Sequence, residues 1–337
     1  MSHSIVENNG WNQSGDSGND RRNAHPKRLC VFAHYDPEGV LDEYVVRLLV
    51  ALREVCSTLI FVSTSPNLSV SAVTPHADQV IARNSQALPT SSPWVFPVIG
   101  VNFAYEFASW KAGLEATPDW GDYDEIVLCN DSVYGPLSPL SDAFREMEQV
   151  DCDFWGITDS LEVKRHIESY FLVFRKPVIA SPVFADFWGD LRPVEDKRRL
   201  IAQCEIEMSQ TLIGHGFRPA PLHQPNWASH GPYRFNTTHY FWKRLIQRYT
   251  PFVKIDIMRF DTMGVGECAV LNHLRSGSDY PVEVIARHLD RTRHYYDACG
   301  SGDVAHAPFA RRLYWSLRTL PRQLRGRRSN ARATPVR

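Results

Sequence analysis

The chain has 337 residues, a formal net charge of −1 and an apolar fraction of 43%. This length allows one large α/β domain or two smaller ones, and the near-neutral charge argues against a nucleic-acid-binding protein. The seven cysteines are odd in number and show no CxxC spacing. They therefore indicate reduced thiols, and exclude a disulfide framework or a zinc knuckle.

The two ends of the chain differ in composition from its middle. Residues 1–26 are rich in Asn, Ser, Gly and Asp and lack the apolar segment of a signal peptide, so we predict a disordered lead. No apolar run approaches the ~20 residues that span a bilayer. The sequence therefore predicts a cytoplasmic protein.

The first elements alternate between strand and helix. Residues 29–33, 59–62 and 80–82 are short apolar runs typical of buried strands, and residues 40–55 have the periodicity of an amphipathic helix. This order predicts a Rossmann-like, mostly parallel sheet with helices on both faces. Ligands bind beyond the carboxyl ends of such strands. The residues that follow the strand ends, and are expected at one crevice, are His34, Tyr35, Asp36, Thr64 and Arg83 with Asn84.

The middle of the chain continues the pattern less regularly. Residues 85–101 read as an irregular insertion, and helices are predicted over 105–115, 138–150 and 195–215, the last closed by Gly216. Further strands are predicted over 125–129, 154–157 and 170–174. The pattern weakens after residue 262. We therefore divide the chain into a lead (1–26), a main domain (27–262), a helical extension (263–310) and a basic tail (311–337).

Three groups of polar residues are candidates for chemistry. Asn130-Asp131-Ser132 follows a predicted strand, where a carboxylate can hold a divalent cation or simply cap a turn. Asn102 and Glu106 lie near a helix start, with Lys111 five residues after Glu106, and Glu205 lies on the long helix. Each acid is also explained as an ordinary solvated side chain.

At these motifs the chain resembles the rhamnan synthesis protein F family, over roughly residues 28–262. The most specific stretches are N-D-S-V-Y-G-P-L from Asn130, D-F-W-G-I-T from Asp153 and H-I-E-S-Y-F from His166. Residues 251–254 are similar to the family's closing segment. Residues 102–111 resemble its N-x-G-y-D-f-x-x-W-K segment, with Ala104 in place of Gly and Glu106 in place of Asp.

The resemblance assigns expected roles. It implies a GT-A-type glycosyltransferase in which Asp131 binds Mg²⁺ or Mn²⁺, and a metal-independent variant stays open because the motif has only one acid. The helix that ends at Gly216 resembles the E-D motif helix of the related family 2 transferases. This puts Glu205 at the position of the catalytic base, with Cys204 in place of the preceding acid, and Asp159 is the reserve base. Donor-binding residues are expected to be His34, Tyr35, Asp36, Thr64, Arg83, Asn102, Glu106, Lys111 and Asn130. Trp155, His166 and Glu168 are expected around the acceptor.

The implied reaction moves a sugar, such as L-rhamnose or another deoxyhexose, from a nucleotide-sugar to a growing cell-surface polysaccharide, with inversion. The acceptor would be lipid-linked or a polysaccharide. Residues 311–337 hold nine Arg and no acid, interleaved with apolar residues. They are expected either to contact the anionic inner face of the plasma membrane or to form a solvated tail.

Two other functions stay open at this point. The A-H-Y-D-P-E segment from Ala33 faintly resembles the metal segment of zinc-dependent sugar N-deacetylases, although no H-x-x-H pair supplies a distal ligand. The departures at positions 104, 106 and 204 also allow a non-catalytic scaffold of a polysaccharide-synthesis complex.

Overall fold

A computed structural model describes residues 26–66, 68, 95–99, 105–192, 201–224, 236–261 and 264–300. The predicted lead and basic tail, the predicted strand over 80–82, and the residues Arg83, Asn84 and Asn102 lie outside the described residues. None of the described helices combines the length and apolar character that crossing a membrane requires.

A seven-stranded, mostly parallel sheet forms the centre of the fold, in the order β10-β6-β9-β4-β1-β2-β3. Its strands are β1 (Arg28–His34), β2 (Thr58–Ser63), β3 (Val95–Ile99), β4 (Glu125–Asn130), β6 (Phe154–Gly156), β9 (Phe171–Arg175) and β10 (Pro219–Pro221). Only β9 pairs antiparallel with its neighbours. Four two-residue strands form two small antiparallel ladders: β5 (Val133–Tyr134) with β11 (Val253–Lys254), and β7 (Asp159–Ser160) with β8 (His166–Ile167). The expected α/β class is confirmed.

Eleven α-helices lie in the part of the chain that the structure describes. They are α1 (Glu43–Val55), α2 (Tyr105–Glu115), α3 (Leu140–Glu148), α4 (Lys176–Ile179), α5 (Pro182–Asp190), α6 (Glu207–Gly214), α7 (Thr237–Tyr240), α8 (Trp242–Gln247), α9 (Asp256–Arg259), α10 (Glu267–Gly277) and α11 (Val282–Gly300). Residues Ile201–Ile206 form a π-helical segment that leads into α6.

The sheet carries one apolar core on each face. In β1, Cys30 and Phe32 pack into the cluster that holds α1, α3, α10 and α11. Leu29, Val31 and Ala33 pack into the cluster that holds α2, α5 and α6. This alternation explains why the strand reads as a continuous apolar run, because both of its faces are buried.

Two sequence predictions differ from the structure. The predicted insertion over 85–101 contains β3, which pairs with β2 at the edge of the sheet. Pro97 argued against a strand at this place in the sequence, because proline is tolerated mainly on edge strands, and β3 is an edge strand. The described part of the predicted 195–215 helix is also not one regular helix, because residues 201–206 are wound as a π-helix. Such wide turns are frequent at functional sites.

Gly135 in the N-D-S-V-Y-G-P-L motif has a steric reason to be glycine. It has a φ of 156°, and a Cβ there would lie 2.3 Å from the carbonyl oxygen of Pro251 and 2.7 Å from Cδ1 of Phe252. Leu137 N–H also donates to the same Pro251 oxygen at 2.7 Å. The motif and residues 251–254 therefore pack directly against each other.

We expect Gly135→Ala to lower the free energy of unfolding by about 2 kcal/mol, because the new methyl group overlaps backbone that cannot move independently. Urea denaturation followed by circular dichroism measures the change. Gly189→Ala is the matched control, since a Cβ at Gly189 meets no atom within 4 Å. An unchanged midpoint for Gly135→Ala would contradict the steric argument.

A carboxylate-lined cavity at the strand ends

A cavity of about 410 Å³ lies at the carboxyl ends of the central strands. It brings together eight of the residues predicted from the sequence: His34, Tyr35, Asp36, Thr64, Glu106, Asn130, Asp131 and Glu205. Asp131 follows β4, and Glu205 comes from the π-helical segment far along the chain. The prediction that these two acids share one cleft is therefore confirmed.

Asp131 is fixed by the neighbouring end of β1. Its backbone N–H donates to Ala33 O at 3.2 Å, and its Oδ2 accepts the backbone N–H of Tyr35 at 2.7 Å. Tyr44 donates its hydroxyl to the carbonyl oxygen of Asp131 at 3.1 Å. The carboxylate is therefore held at the cavity wall by main-chain contacts on both sides.

Asn130 and Ser132, the neighbours of Asp131 in the motif, are hydrogen-bonded to each other. The Oδ1 atom of Asn130 accepts from Ser132 N–H at 3.1 Å and from Ser132 Oγ–H at 2.6 Å. The amide thus shapes the turn after β4, as Asn commonly does. Asp131 is the only charged member of this tripeptide at the cavity.

Burial raises the pKa of Asp131 to about 7, although the Tyr35 amide and the Arg259 guanidinium favour the charged form. The charge of Glu106 raises the pKa further. Burial also lowers the pKa of His34 to about 4 and that of His288 to about 3. Both histidines are therefore neutral near pH 7.

His34 is anchored by two serines of the next strand end. Its Nδ1 lies 3.0 Å from Ser63 Oγ and 3.3 Å from Ser65 Oγ. Ser65 Oγ in turn accepts the backbone N–H of Asp36 at 2.7 Å. The loop after β1 is therefore tied to the loop after β2.

The Asp36 carboxylate is used by the fold. It accepts the backbone N–H groups of Glu38 at 3.0 Å and Val40 at 2.9 Å, and it forms an ion pair with Arg291 of α11. Burial alone would raise the pKa of Asp36, but the hydrogen bond from Arg291 holds it below the usual value. Asp36 therefore shapes the wall of the cavity that it lines.

At the other end of the cavity, Glu205 is held by the backbone just before β9. Its Oε1 accepts the backbone N–H of Ser169 at 2.7 Å. Ser169, Tyr170 and Lys254 line the cavity beside it. This contact fixes the direction of the carboxylate, as a reacting group requires.

Several predicted site residues lie outside the cavity. The Nζ of Lys111 donates to Gly189 O at 3.2 Å, because the five-residue spacing from Glu106 turns it to another face of α2. Trp155 is 1% exposed and packs against Phe144 and Phe171 in the core. It is corrected from a pocket residue to a core residue.

The other corrections concern buried polar residues near β7 and β8. Asp159 is fully buried and pairs with Arg165 at 3.1 Å, which makes it unsuitable as a reserve base. His166 Nδ1 lies 2.8 Å from Lys164 O. Glu168 accepts a hydrogen bond from Thr158 Oγ1 at 2.5 Å and does not line the cavity. It is therefore a buried structural residue.

Sequence reasoning missed about half of the lining. The additional residues are Tyr44, Ser109, Ser169, Tyr170, Lys254, Asp256, Arg259, His288 and Thr292. Most come from short elements or from α11, beyond the predicted main domain. A usable signal was present at Ser169 and Tyr170, which lie in the H-I-E-S-Y-F stretch, and at Lys254, the last residue of the segment that resembles the family's closing segment.

The cavity is acidic. Five carboxylates line it (Asp36, Glu106, Asp131, Glu205 and Asp256), against two cations, Lys254 and Arg259. Among the described residues, no three His, Cys, Asp or Glu side chains converge closely enough to hold a metal ion alone. His34 and Asp36 are directed to Ser63 and Arg291, so this segment does not have the arrangement that the zinc deacetylase hypothesis requires.

The structure combines an α/β fold with a cavity that is lined by acidic residues and lies at the carboxyl edge of the sheet. Residues 97–299, more than half of the chain, match the family described as Rhamnan synthesis protein F. The chain belongs to this family, which confirms the resemblance seen in the sequence.

Two curated relatives are similar over shorter stretches. Virulence protein VirA of Vibrio anguillarum (strain ATCC 68554 / 775) is 26% identical over 197 residues, covering 49% of this chain and 63% of VirA. The uncharacterized protein y4gN of Sinorhizobium fredii (strain NBRC 101917 / NGR234) is 25% identical over 129 residues, covering 37% of this chain and 34% of y4gN. The chain thus spans less than two thirds of these relatives.

The chain is also similar to two solved structures. The mannosyltransferase PcManGT from Pyrobaculum calidifontis, in complex with GDP-Man and Mn²⁺, has a TM-score of 0.39 at 10% identity, covering 90% of this chain and 83% of PcManGT. TarS 1–349 of S. aureus has a TM-score of 0.37 at 11% identity, covering 88% and 82%. With scores below 0.5, these likenesses do not by themselves establish a shared mechanism.

The raised pKa of Asp131 gives a pH-dependent stability. Because the folded-state pKa of about 7 exceeds the ordinary value of 3.8, ionisation destabilises the fold increasingly between these values and fully above pH 7. We expect Asp131→Asn to melt at a higher temperature than the wild type, with a gap that widens from pH 5 to 7 and then levels. The exposed Asp290→Asn is the control, and a gap independent of pH would contradict the assignment.

Proposed function

We propose that the protein is a glycosyltransferase that moves a sugar from a nucleotide-sugar to a growing cell-surface polysaccharide. The observation that carries this proposal is the convergence of Asp131 and Glu205 on one cavity at the strand ends. Membership of the rhamnan synthesis protein F family supports polysaccharide synthesis as the setting.

Glu205 is proposed as the general base. Sugar transfer with inversion needs a carboxylate that takes the proton of the attacking acceptor hydroxyl. Glu205 faces the cavity, and the Ser169 amide fixes one of its oxygens at 2.7 Å. A carboxylate on a restrained segment is suited to this role, because its approach to the hydroxyl is set in advance.

Asp131 is proposed to hold Mg²⁺ or Mn²⁺, with Glu106 near enough to influence its charge. Hard cations prefer oxygen ligands, and Mg²⁺ sites commonly combine one or two carboxylates with substrate phosphates and water. The cavity's excess of carboxylates fits this pattern, since an anionic diphosphate would otherwise be repelled. When bound, the cation neutralises charge on the departing diphosphate.

His34, Tyr35, Thr64 and the α11 residues His288 and Thr292 are proposed to surround the nucleotide, because they line the end of the cavity that adjoins Asp131. Arg83 and Asn102 remain proposed donor contacts from the sequence. A deoxyhexose such as L-rhamnose is the proposed sugar, on the basis of the family.

A cytoplasmic setting, at the inner face of the membrane, is proposed for this reaction. Five of the six described cysteines are buried free thiols, which is typical of proteins in a reducing compartment. The acceptor is proposed to be lipid-linked or a polysaccharide, with residues 311–337 as the membrane contact.

The proposal predicts separable effects of two isosteric substitutions. Glu205→Gln should keep the Ser169 contact yet lower kcat by at least 100-fold with little change in donor affinity, because only the base is lost. Asp131→Asn should instead weaken binding of the nucleotide-sugar in the presence of Mn²⁺. Release of nucleoside diphosphate from UDP-, dTDP- and GDP-sugars, with and without metal, measures both.

Glu207→Gln is the matched control, because Glu207, the first residue of α6, is exposed and lines a different cavity. It should retain wild-type turnover. Full activity of Glu205→Gln would remove this residue as the base. If the wild type bound and turned over no donor of the panel, the scaffold hypothesis would replace the transferase.

A further inference from the structure

Lys254 is a cation in the cavity whose ammonium has no direct partner. It is the second residue of β11 and lines the cavity beside Glu205. Among the described residues, its Nζ makes no hydrogen bond or ion pair; its one close contact is the ring of Tyr170, 5.2 Å from the centroid. Three N–H donors are therefore available to a bound molecule.

The surroundings keep this ammonium charged. Burial alone would lower the pKa of Lys254, but the charges of Glu168, Glu205, Asp256 and Glu106 together raise it above the usual value. A half-buried cation without hydrogen-bond partners is costly unless water or a ligand supplies acceptors. The geometry thus describes a place where a ligand oxygen is expected.

The charges near Lys254 restrict what that ligand can be. Three of the surrounding carboxylates, Glu106, Glu205 and Asp256, also line the cavity. Acidic groups accept hydrogen bonds from hydroxyl groups but repel another carboxylate. An ammonium and several carboxylates around one space match an uncharged polyhydroxylated molecule, whose hydroxyl groups both donate and accept.

The position in the cavity separates this place from the nucleotide end. Lys254, Ser169, Tyr170 and Glu205 form one end of the lining, with Ser169 N–H bonded to Glu205. At the other end, the charges of Arg291 and His34 act on His288, and that of Arg291 acts on His34. The sugar ring, next to the base, therefore belongs at the Lys254 end.

Resting on the proposed function, we propose that Lys254 is a sugar-binding residue and that its subsite selects an uncharged sugar against a uronic acid. The charge of buried Glu168 acts on Lys254, and Glu168 is itself fixed by the hydroxyl groups of Thr158 and Thr238 and by the side-chain amide of Asn236. Lys254 then contacts hydroxyl groups of the sugar, and Glu205 stays directed to the acceptor.

The test compares Lys254→Gln and Lys254→Arg with the wild type by isothermal titration calorimetry. The probes are one nucleoside diphosphate, the same nucleotide carrying glucose, and the same nucleotide carrying glucuronic acid. We expect Lys254→Gln to weaken binding of the glucose conjugate at least tenfold and to leave the affinity for the diphosphate within twofold. Lys254→Arg should recover part of the loss, and the wild type should bind the glucuronic acid conjugate at least tenfold more weakly than the glucose conjugate.

Lys111→Gln is the control, because this lysine lies outside the cavity. Melting temperatures confirm that each variant is folded. Equal weakening of diphosphate and sugar conjugate by Lys254→Gln, unchanged binding, or equal affinity for the two sugars would each overturn the inference while the proposed function stands. A wild type that binds no nucleotide or nucleotide-sugar would overturn both.

Discussion

The pairing of β1 with β4 is the constraint on which the cavity depends. These strands are distant in sequence but adjacent and parallel, so the residues that follow them meet at one edge. There the Asp131 carboxylate accepts the Tyr35 amide, and the Asp131 amide donates to Ala33. This contact fixes the orientation of Asp131. Burial raises the pKa of the carboxyl to about 7, even though the Tyr35 amide favours its charged form.

Helix α11, the last helix that the structure describes, forms part of the cavity wall together with the residues at the strand ends. Arg291 pairs with Asp36, Glu38 and Asp42, which brackets the loop between β1 and α1. His288, one turn earlier, lies 2.7 Å from the Tyr134 hydroxyl and lines the cavity. Residues that the sequence placed in a separate extension therefore belong to the wall of the site, and α11 also packs into the core beside α1.

The sequence predicts best where one local pattern determines position. Buried parallel strands read as apolar runs, so their ends, and with them His34 and Asp131, were placed correctly. Glu205 required the family resemblance, since a helix pattern does not reveal which acid faces a cleft. Lys254 and Arg259 lie in short elements that carry no periodicity, and His288 lies in a helix beyond the predicted main domain. All three reach the cavity only through tertiary contacts. Trp155 and His166 lie in strands of two or three residues, whose faces cannot be assigned from alternation.

Two departures from the family patterns, Cys204 and Glu106, can be interpreted from the residues that surround them in the structure. Cys204 replaces an acid, but its side chain is 1% exposed and packs in the apolar cluster of α5 and α6. A carboxylate there would be desolvated without a partner, so the cysteine removes nothing from the cavity. Glu106 replaces a shorter acid and still lines the cavity, where its charge acts on Asp131. Both substitutions thus leave Asp131 and Glu205 facing one space, as the proposed transfer reaction requires.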